Sequence, residues 1–192
     1  MTEEEYLSLK QPYEDALKNV RMRVEVLNGD YHRKYSNCPI HHVQYRIKTK
    51  ESIENKLAQN GYAPQADIAR DVLTDIAGLR VICYFVRDID AVVHLLKRQS
   101  DVVIIKERDY IRNPKPNGYR SHHIVFGIPV YHTDGMGYYP VEVQLRTMTM
   151  DLWASMEHRI CYKGDNQEAA QEQFCQYAEN LKHMEEEMER YL

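Results

Sequence analysis

The chain has 192 residues, 43% apolar and 28% charged, with 25 Lys and Arg against 29 Asp and Glu and a formal net charge of -4. That length suits one compact domain with a real core, and the composition excludes collagen-like, disordered and membrane-spanning classes. The acidic balance excludes a globally basic nucleic-acid binder while leaving room for a local basic patch.

The longest apolar run, residues 81–86, is far short of the about 20 residues a bilayer crossing requires. Glu3, Glu4 and Glu5 stand where a signal peptide would be basic and then apolar, so a cytoplasmic protein without membrane contact is expected. Cys38, Cys83, Cys161 and Cys175 form no Cys-x-x-Cys pair and read as free thiols, not as a zinc site or a disulfide framework.

In chain order, Tyr6, Leu9, Tyr13, Leu17, Val20, Val24 and Leu27 recur at helical spacing and predict a long amphipathic helix over about residues 4–28, closed by Asn28-Gly29-Asp30. A second helix is predicted over 49–59, with Ile53 and Leu57 inward and Asn60-Gly61 as its stop, and a short third helix before Asp75. Residues 80–86 are β-branched and aromatic, 88–99 read as a helix capped by Asp88, and 102–106 as a further strand. Residues 119–130 and 138–146 predict an antiparallel pair joined across 133–137, followed by a helix over 148–162. Last, Phe174, Tyr177, Leu181, Met184, Met188 and Tyr191 make a heptad-like stripe on an acidic helix over about 166–192. That stripe needs a partner surface, either a second copy or the N-terminal helix of the same chain. The sum is an α/β fold, a mixed and mostly antiparallel sheet flanked by helices, in a single domain spanning 1–192.

Strict alternation in Val141-Glu142-Val143-Gln144-Leu145-Arg146 puts Val141, Val143 and Leu145 on the core face and Glu142, Gln144 and Arg146 on the other, which is either a polar cleft or a solvated strand face. The loop Asn113-Pro114-Lys115-Pro116-Asn117-Gly118 is stiffened by two prolines and leads into Tyr119, Ser121 and His123 on one face. Lys106, Arg108, Arg112, Lys115 and Arg120 surround it, a cationic group beside an aromatic ring that suits a nucleotide as readily as an ordinary Asn-Gly turn suits solvated charges. A second cationic group, Arg46, Lys48, Lys50 and Lys56, suggests a second phosphate-bearing ligand. Neither group follows a P-loop, Rossmann or kinase signature. Asp75, in the turn before a buried strand, is a cap or a metal ligand. Asp88-Ile89-Asp90 opens a helix and reads as a cap instead of a metal pair, and the nine histidines show no transition-metal spacing.

Four segments in order, Arg46-Ile47-Lys48, Asp75-Ile76-Ala77-Gly78-Leu79-Arg80, Lys115-Pro116-Asn117-Gly118-Tyr119-Arg120-Ser121 and Glu142-Val143-Gln144-Leu145-Arg146-Thr147, resemble the synthetase domain of RelA/SpoT-type alarmone synthetases over about residues 40–163. With terminal helices and no hydrolase, TGS or ACT region, the chain looks like the stand-alone small alarmone synthetases. The resemblance implies a nucleotidyltransferase-like synthetase domain that moves the β,γ-pyrophosphate of ATP to the 3′-hydroxyl of GTP or GDP, releasing AMP and making pppGpp or ppGpp in the stringent response. It implies Asp75 as a Mg²⁺ ligand on the ATP phosphates and Glu142 as general base or second metal ligand. It further implies Arg46 and Arg80 as an adenine clamp, with Lys48 and Lys56 on the ATP phosphates. Tyr119 would stack on guanine, Asn117 and Gln144 would lie near the base or ribose, and Arg108 and Lys115 would hold the GTP phosphates, with His123 matching the family's histidine after Tyr-Arg-Ser on the GTP side. His122 stands where the family has an apolar residue.

The apolar stripes of the terminal helices are longer than the sheet needs and predict a homo-oligomer held by them; the resemblance implies that it is a tetramer, with regulation by a bound alarmone or single-stranded RNA in some relatives. An aromatic residue upstream of Arg-x-Lys serves the alarmone there; here the segment reads His41-His42-Val43-Gln44. Two rival functions are a tRNA-pyrophosphorylating toxin of the same fold and a non-catalytic nucleotide- or RNA-binding module.

Overall fold

The computed structural model describes residues 1–160 and 167–192; Cys161, residues 161–162 of the expected helix and the expected start of the last helix at 166 lie outside them. The elements are α1 (Glu3–Tyr35), β1 (Ile40–Ile47), α2 (Lys50–Gln59), α3 (Ala66–Val72), β2 (Ala77–Cys83), α4 (Val86–Lys97), β3 (Val103–Asp109), β4 (His122–His132), β5 (Gly135–Thr147), α5 (Met148–Ile160) and α6 (Gln167–Glu189). The strands form one sheet in the order β1-β2-β5-β4-β3. Only β2 and β5 run parallel; β1–β2, β5–β4 and β4–β3 are antiparallel. The expected mixed, mostly antiparallel sheet is present, with β1 as an edge strand that the sequence did not predict.

α1 starts at a capping box, Glu5 N–H donating to Thr2 Oγ1 at 3.1 Å and Thr2 N–H to Glu5 Oε2 at 2.6 Å. Its apolar face, Leu9, Tyr13, Ala16, Leu17, Val20 and Val24, is buried with the inner side chains of β4 and β5, Ile124, Phe126, Ile128, Val141, Val143 and Leu145. The helix does not stop at Asn28-Gly29-Asp30 but continues to Tyr35, and Ser36 ends it at φ 55°. Pro12 and Gly29 together cost about 4 kcal/mol of helix propensity. Burial of Leu9, Tyr13, Leu17, Val20 and Val24 at about 1.5–3 kcal/mol each outweighs that. Beyond Gly29, Asp30 pairs with Arg33 at 3.3 Å and Lys34 at 3.1 Å. Asn28 Oδ1 accepts from Ile40 N–H at 3.2 Å, so the Asn read as a stop ties β1 to the helix.

α4 begins after Phe85, three residues before the expected cap. Asp88 lies inside it and reaches back, its carboxylate accepting from Phe85 N–H at 3.1 Å, while Asp90 pairs with Arg112 at 3.0 Å. The β4–β5 hairpin is tighter than expected, His132 pairing with Gly135 across Thr133-Asp134, where Gly135 at φ 137° takes a backbone that side chains disfavour. Among the described residues no helix is long and apolar enough to cross a membrane.

α6 packs on α5, not on α1. The face of α1 is already taken by the sheet, whereas α6 finds Trp153 and Ala154, which with Phe174 and Ala178 form a second, separate cluster edged by Tyr119 and Leu181. The buried face of α6 is Phe174, Ala178 and Glu185, so Tyr177, Met184 and Met188 of the expected stripe stay exposed.

Candidate active site

The sheet register places the polar side chains in two transverse rows. One row runs Arg46, Gly78, Glu142, Val125, Lys106 from β1 to β3; the next runs Gln44, Arg80, Gln144, His123, Arg108. Residues on directly opposed strands and of the same parity share a face, so both rows belong to the face away from α1. Gly78 is the member without a side chain, and the gap it leaves between Arg46 and Glu142 opens into a cavity of about 180 Å³ that also reaches Lys48, Asp75 and Arg80.

Asp75 sits at the mouth of β2, held there as Lys48 N–H donates to the Ile76 carbonyl at 2.9 Å. Its Oδ2 accepts from the ammonium groups of Lys48, at the end of β1, and Lys56, on α2, the latter at 2.5 Å. Burial pushes the Asp75 carboxyl up, but the hydrogen bonds and charges of the two lysines outweigh it and hold the group below the usual carboxylate range. Burial likewise pulls the Lys48 ammonium below its ordinary value, with Asp75 only partly restoring it. Asp75 Oδ1 is buried without a hydrogen-bond partner.

Glu142 accepts from Gln144 Nε2 at 2.9 Å and lies 3.5 Å from His123 Nδ1. Burial raises its carboxyl, yet those two partners leave it lowered overall. It is therefore a carboxylate with proton-accepting capacity, set between two positive flanks. A second cavity of about 160 Å³ shares Asp75 and Glu142 with the first and continues to Lys56, Lys106, Arg108 and Tyr110. Two cavities meeting at two carboxylates can hold two anionic ligands with their reactive ends together.

Beside the second cavity, residues 110–121 form a loop closed by Tyr110 N–H donating to the Ser121 carbonyl at 2.9 Å. Asn117 Oδ1 accepts from Tyr119 N–H at 3.2 Å, and Gly118 turns the chain at φ 88°. The Tyr119 hydroxyl is bound by His123 Nε2 at 2.8 Å and Arg146 Nη2 at 2.9 Å. Lys115 Nζ lies 4.9 Å from the Tyr119 ring centre and 5.0 Å from that of Tyr110. The loop thus joins the rows through Tyr119 and His123.

Of the residues singled out in the sequence, Arg46, Lys48, Lys56, Asp75, Arg80, Arg108, His123, Glu142 and Gln144 line the two cavities, and Lys115, Asn117 and Tyr119 stand on the adjoining loop. Others of the cationic groups are used elsewhere: Lys50 pairs with Glu3 at 3.6 Å, Arg112 with Asp109 at 2.6 Å, and Arg120 is buried against α6. His122 faces the opposite way, 2.9 Å from Glu107. Sequence reasoning missed Gln44, Tyr110 and Asp151. Gln44 and Asp151 orient Arg80, at 3.2 and 3.4 Å, and Tyr110 takes a hydrogen bond from Arg108 at 3.1 Å. The parity of Gln44 with Arg46 was the available signal for the first; nothing in the local sequence marks Asp151, which lies on α5.

Among the described residues no group of three or more His, Cys, Asp and Glu could hold a metal by itself. Two carboxylates, one with an unpartnered buried oxygen, nevertheless suit Mg²⁺, which commonly takes one or two carboxylates and completes its shell with water and substrate phosphates.

Residues 45–167 match the family model described as a region found in RelA / SpoT proteins. The chain is 42% identical over 154 residues to GTP pyrophosphokinase YwaC of Bacillus subtilis (strain 168), covering 80% of this chain and 73% of that one. Among solved structures it superposes on the small alarmone synthetase 1 of Bacillus subtilis bound to its product pppGpp with a TM-score of 0.88, at 30% identity over 98% of this chain and 97% of that one. The small alarmone synthetase 2 of the same organism gives a TM-score of 0.85 at 36% identity, covering 96% of each chain.

Proposed function

The chain belongs to the RelA/SpoT family, and from that premise we propose that it is a small alarmone synthetase, moving the β,γ-pyrophosphate of ATP to the 3′-hydroxyl of GTP or GDP. The observation that carries this is the meeting of two cation-lined cavities at Asp75 and Glu142.

ATP occupies the cavity beneath Gly78, its adenine between the guanidinium planes of Arg46 and Arg80 and its phosphates toward Lys48 and Lys56. The acceptor nucleotide occupies the other, with guanine on Tyr119 near Asn117, its ribose toward Gln144 and His123, and its 5′-phosphates on Arg108 and Lys115. The 3′-oxygen attacks the β-phosphorus of ATP while Glu142 takes the hydroxyl proton. The bond from the β-phosphorus to the bridging α–β oxygen breaks, and AMP leaves with that electron pair. Lys48 and Lys56 offset the charge that develops on the leaving oxygen. Mg²⁺, held by Asp75 with Glu142 and the substrate phosphates, would supply further charge neutralisation and phosphate alignment.

A homo-oligomer through the exposed stripe of α6 belongs to the same proposal, because Tyr177 and Met184 lie beside Leu152, Met156 and Ile160 of α5 on one open apolar surface, with Met188 exposed further along the helix. A purified chain given γ-labelled ATP, Mg²⁺ and GMP, GDP or GTP in turn should place label on a guanosine nucleotide. Label on added tRNA alone would favour the toxin reading, and no transfer to any acceptor would leave a binding module.

A further inference from the structure

The loop that carries Tyr119 is held from behind by α6. Three polar clamps fix one face of that helix: Trp153 Nε1 donates to the Phe174 carbonyl at 2.7 Å, Arg120 Nη2 to the Ala178 carbonyl at 3.0 Å, and Thr147 Oγ1 to Glu185 Oε2 at 2.6 Å. Residues 174, 178 and 185 follow helical spacing, so the clamps lie along a single line. The loop itself presses on the same line. Cys175 Sγ donates to the Pro116 carbonyl at 3.2 Å, and a Cβ placed on Gly118 would stand 2.9 Å from the Cβ of Ala178. Gly118 is required there by contact as well as by its positive φ.

Arg120 joins the two. Successive residues of an extended segment point to opposite sides, so Tyr119 faces His123 while Arg120 turns back into the protein. Its side chain is 7% exposed, and Glu185, 6% exposed, acts on it as a buried opposite charge. A guanidinium so desolvated cannot leave its partners cheaply, which makes it a rigid anchor.

We propose that Arg120 is a positioning residue for the acceptor nucleotide, and that α6 thereby sets acceptor affinity independently of ATP. This rests on the reading of Tyr119 as the acceptor-base platform. Among the described residues, neither Arg120 nor α6 bonds to either carboxylate; the effect passes through the placement of the Gly118-Tyr119 turn.

The test compares Arg120→Met, Arg120→Lys, Gly118→Ala and Gly118→Ala combined with Ala178→Gly, each checked by thermal melting. Steady-state KM is measured for GDP and ATP, and GDP binding is followed by the fluorescence of the one tryptophan, Trp153, whose ring centre is 6.4 Å from that of Tyr119. Arg120→Met should raise the KM and Kd for GDP about tenfold or more while the KM for ATP and the kcat stay within about twofold, with Arg120→Lys between. Gly118→Ala should weaken GDP likewise, and adding Ala178→Gly should recover part of the loss by removing the methyl it strikes. An unchanged GDP affinity in folded Arg120→Met, equal changes for both nucleotides, or a further loss on adding Ala178→Gly would overturn the proposal. Should Arg120→Met fail to fold, the Gly118 pair decides alone. Wild-type protein that binds GDP but transfers nothing would count against the synthetase reading and leave this one to the fluorescence titration.

Discussion

The two cavities share the same two carboxylates, but the one proposed for ATP and the loop beside the one proposed for the acceptor are built on different foundations. The first is floored by β1, β2 and β5, whose inner faces belong to the main core with α1, and its cations are Arg46 on β1, Arg80 on β2 and Lys48 just after β1. The second depends on a loop of a dozen residues resting on the satellite cluster of Trp153, Ala154, Phe174 and Ala178. Small clusters bury little apolar surface and open locally at lower free energy than a main core. On the proposed reading, one substrate is bound by the sheet and the other by a docked segment, so the two affinities should be separately adjustable.

The largest effect should come from the point the two regions share. Asp75→Asn and Glu142→Gln should each lower kcat by about 100-fold or more in protein that still folds. A folded variant that kept near-normal turnover would remove that carboxylate from the site. Next, Arg80→Lys keeps a charge beside Asp151 but loses the plane that stacks on adenine, and should raise the KM for ATP about tenfold while the KM for the acceptor is unmoved. A matching rise for the acceptor would break the separation between the regions.

How much of this was legible in the sequence follows from what each signal depends on. Asp75, Glu142 and the cationic positions were readable because alternation along one strand and order along the chain are local properties, and the family motifs preserve both. The two rows were not readable, since they need the register of five strands, and Lys106 entered its row only through a bulge between Ile104 and Lys106. The end of α1 was misjudged because Asn28-Gly29 is a stop signal only when nothing else claims the Asn, and here Ile40 does. The face of α6 was legible in part. Apolar spacing marked Phe174, which is buried, and Tyr177 and Met184, which stay exposed, but could not show that a carboxylate, Glu185, faces inward, satisfied by Thr147 of β5 and Thr149 of α5.

A smaller effect concerns pH. Glu142 accepts the proton only as a carboxylate, so kcat/KM falls as pH drops through its pKa. Its carboxyl is lowered although burial raises it, because His123 Nδ1 lies 3.5 Å away and Gln144 donates to it. Gln144→Met removes one donor, so the acidic limb of the kcat/KM profile should move to higher pH; a limb that stays in place or moves lower would assign the proton to another group. Smallest of all, Met188→Gln at an exposed position of α6 should change the stability of the chain by no more than about 0.5 kcal/mol in urea titration, while light scattering reports any loss of assembly. A wild-type chain that scatters as a monomer at micromolar concentration would end the oligomer proposal.

Transfer of a pyrophosphoryl group is read directly by ³¹P NMR of ATP, GDP, Mg²⁺ and the purified chain. AMP and a guanosine carrying two phosphates on each of its 5′ and 3′ positions should grow together in equal amounts and be absent with Glu142→Gln. ADP as the partner product, or an ATP spectrum that does not change, would contradict it.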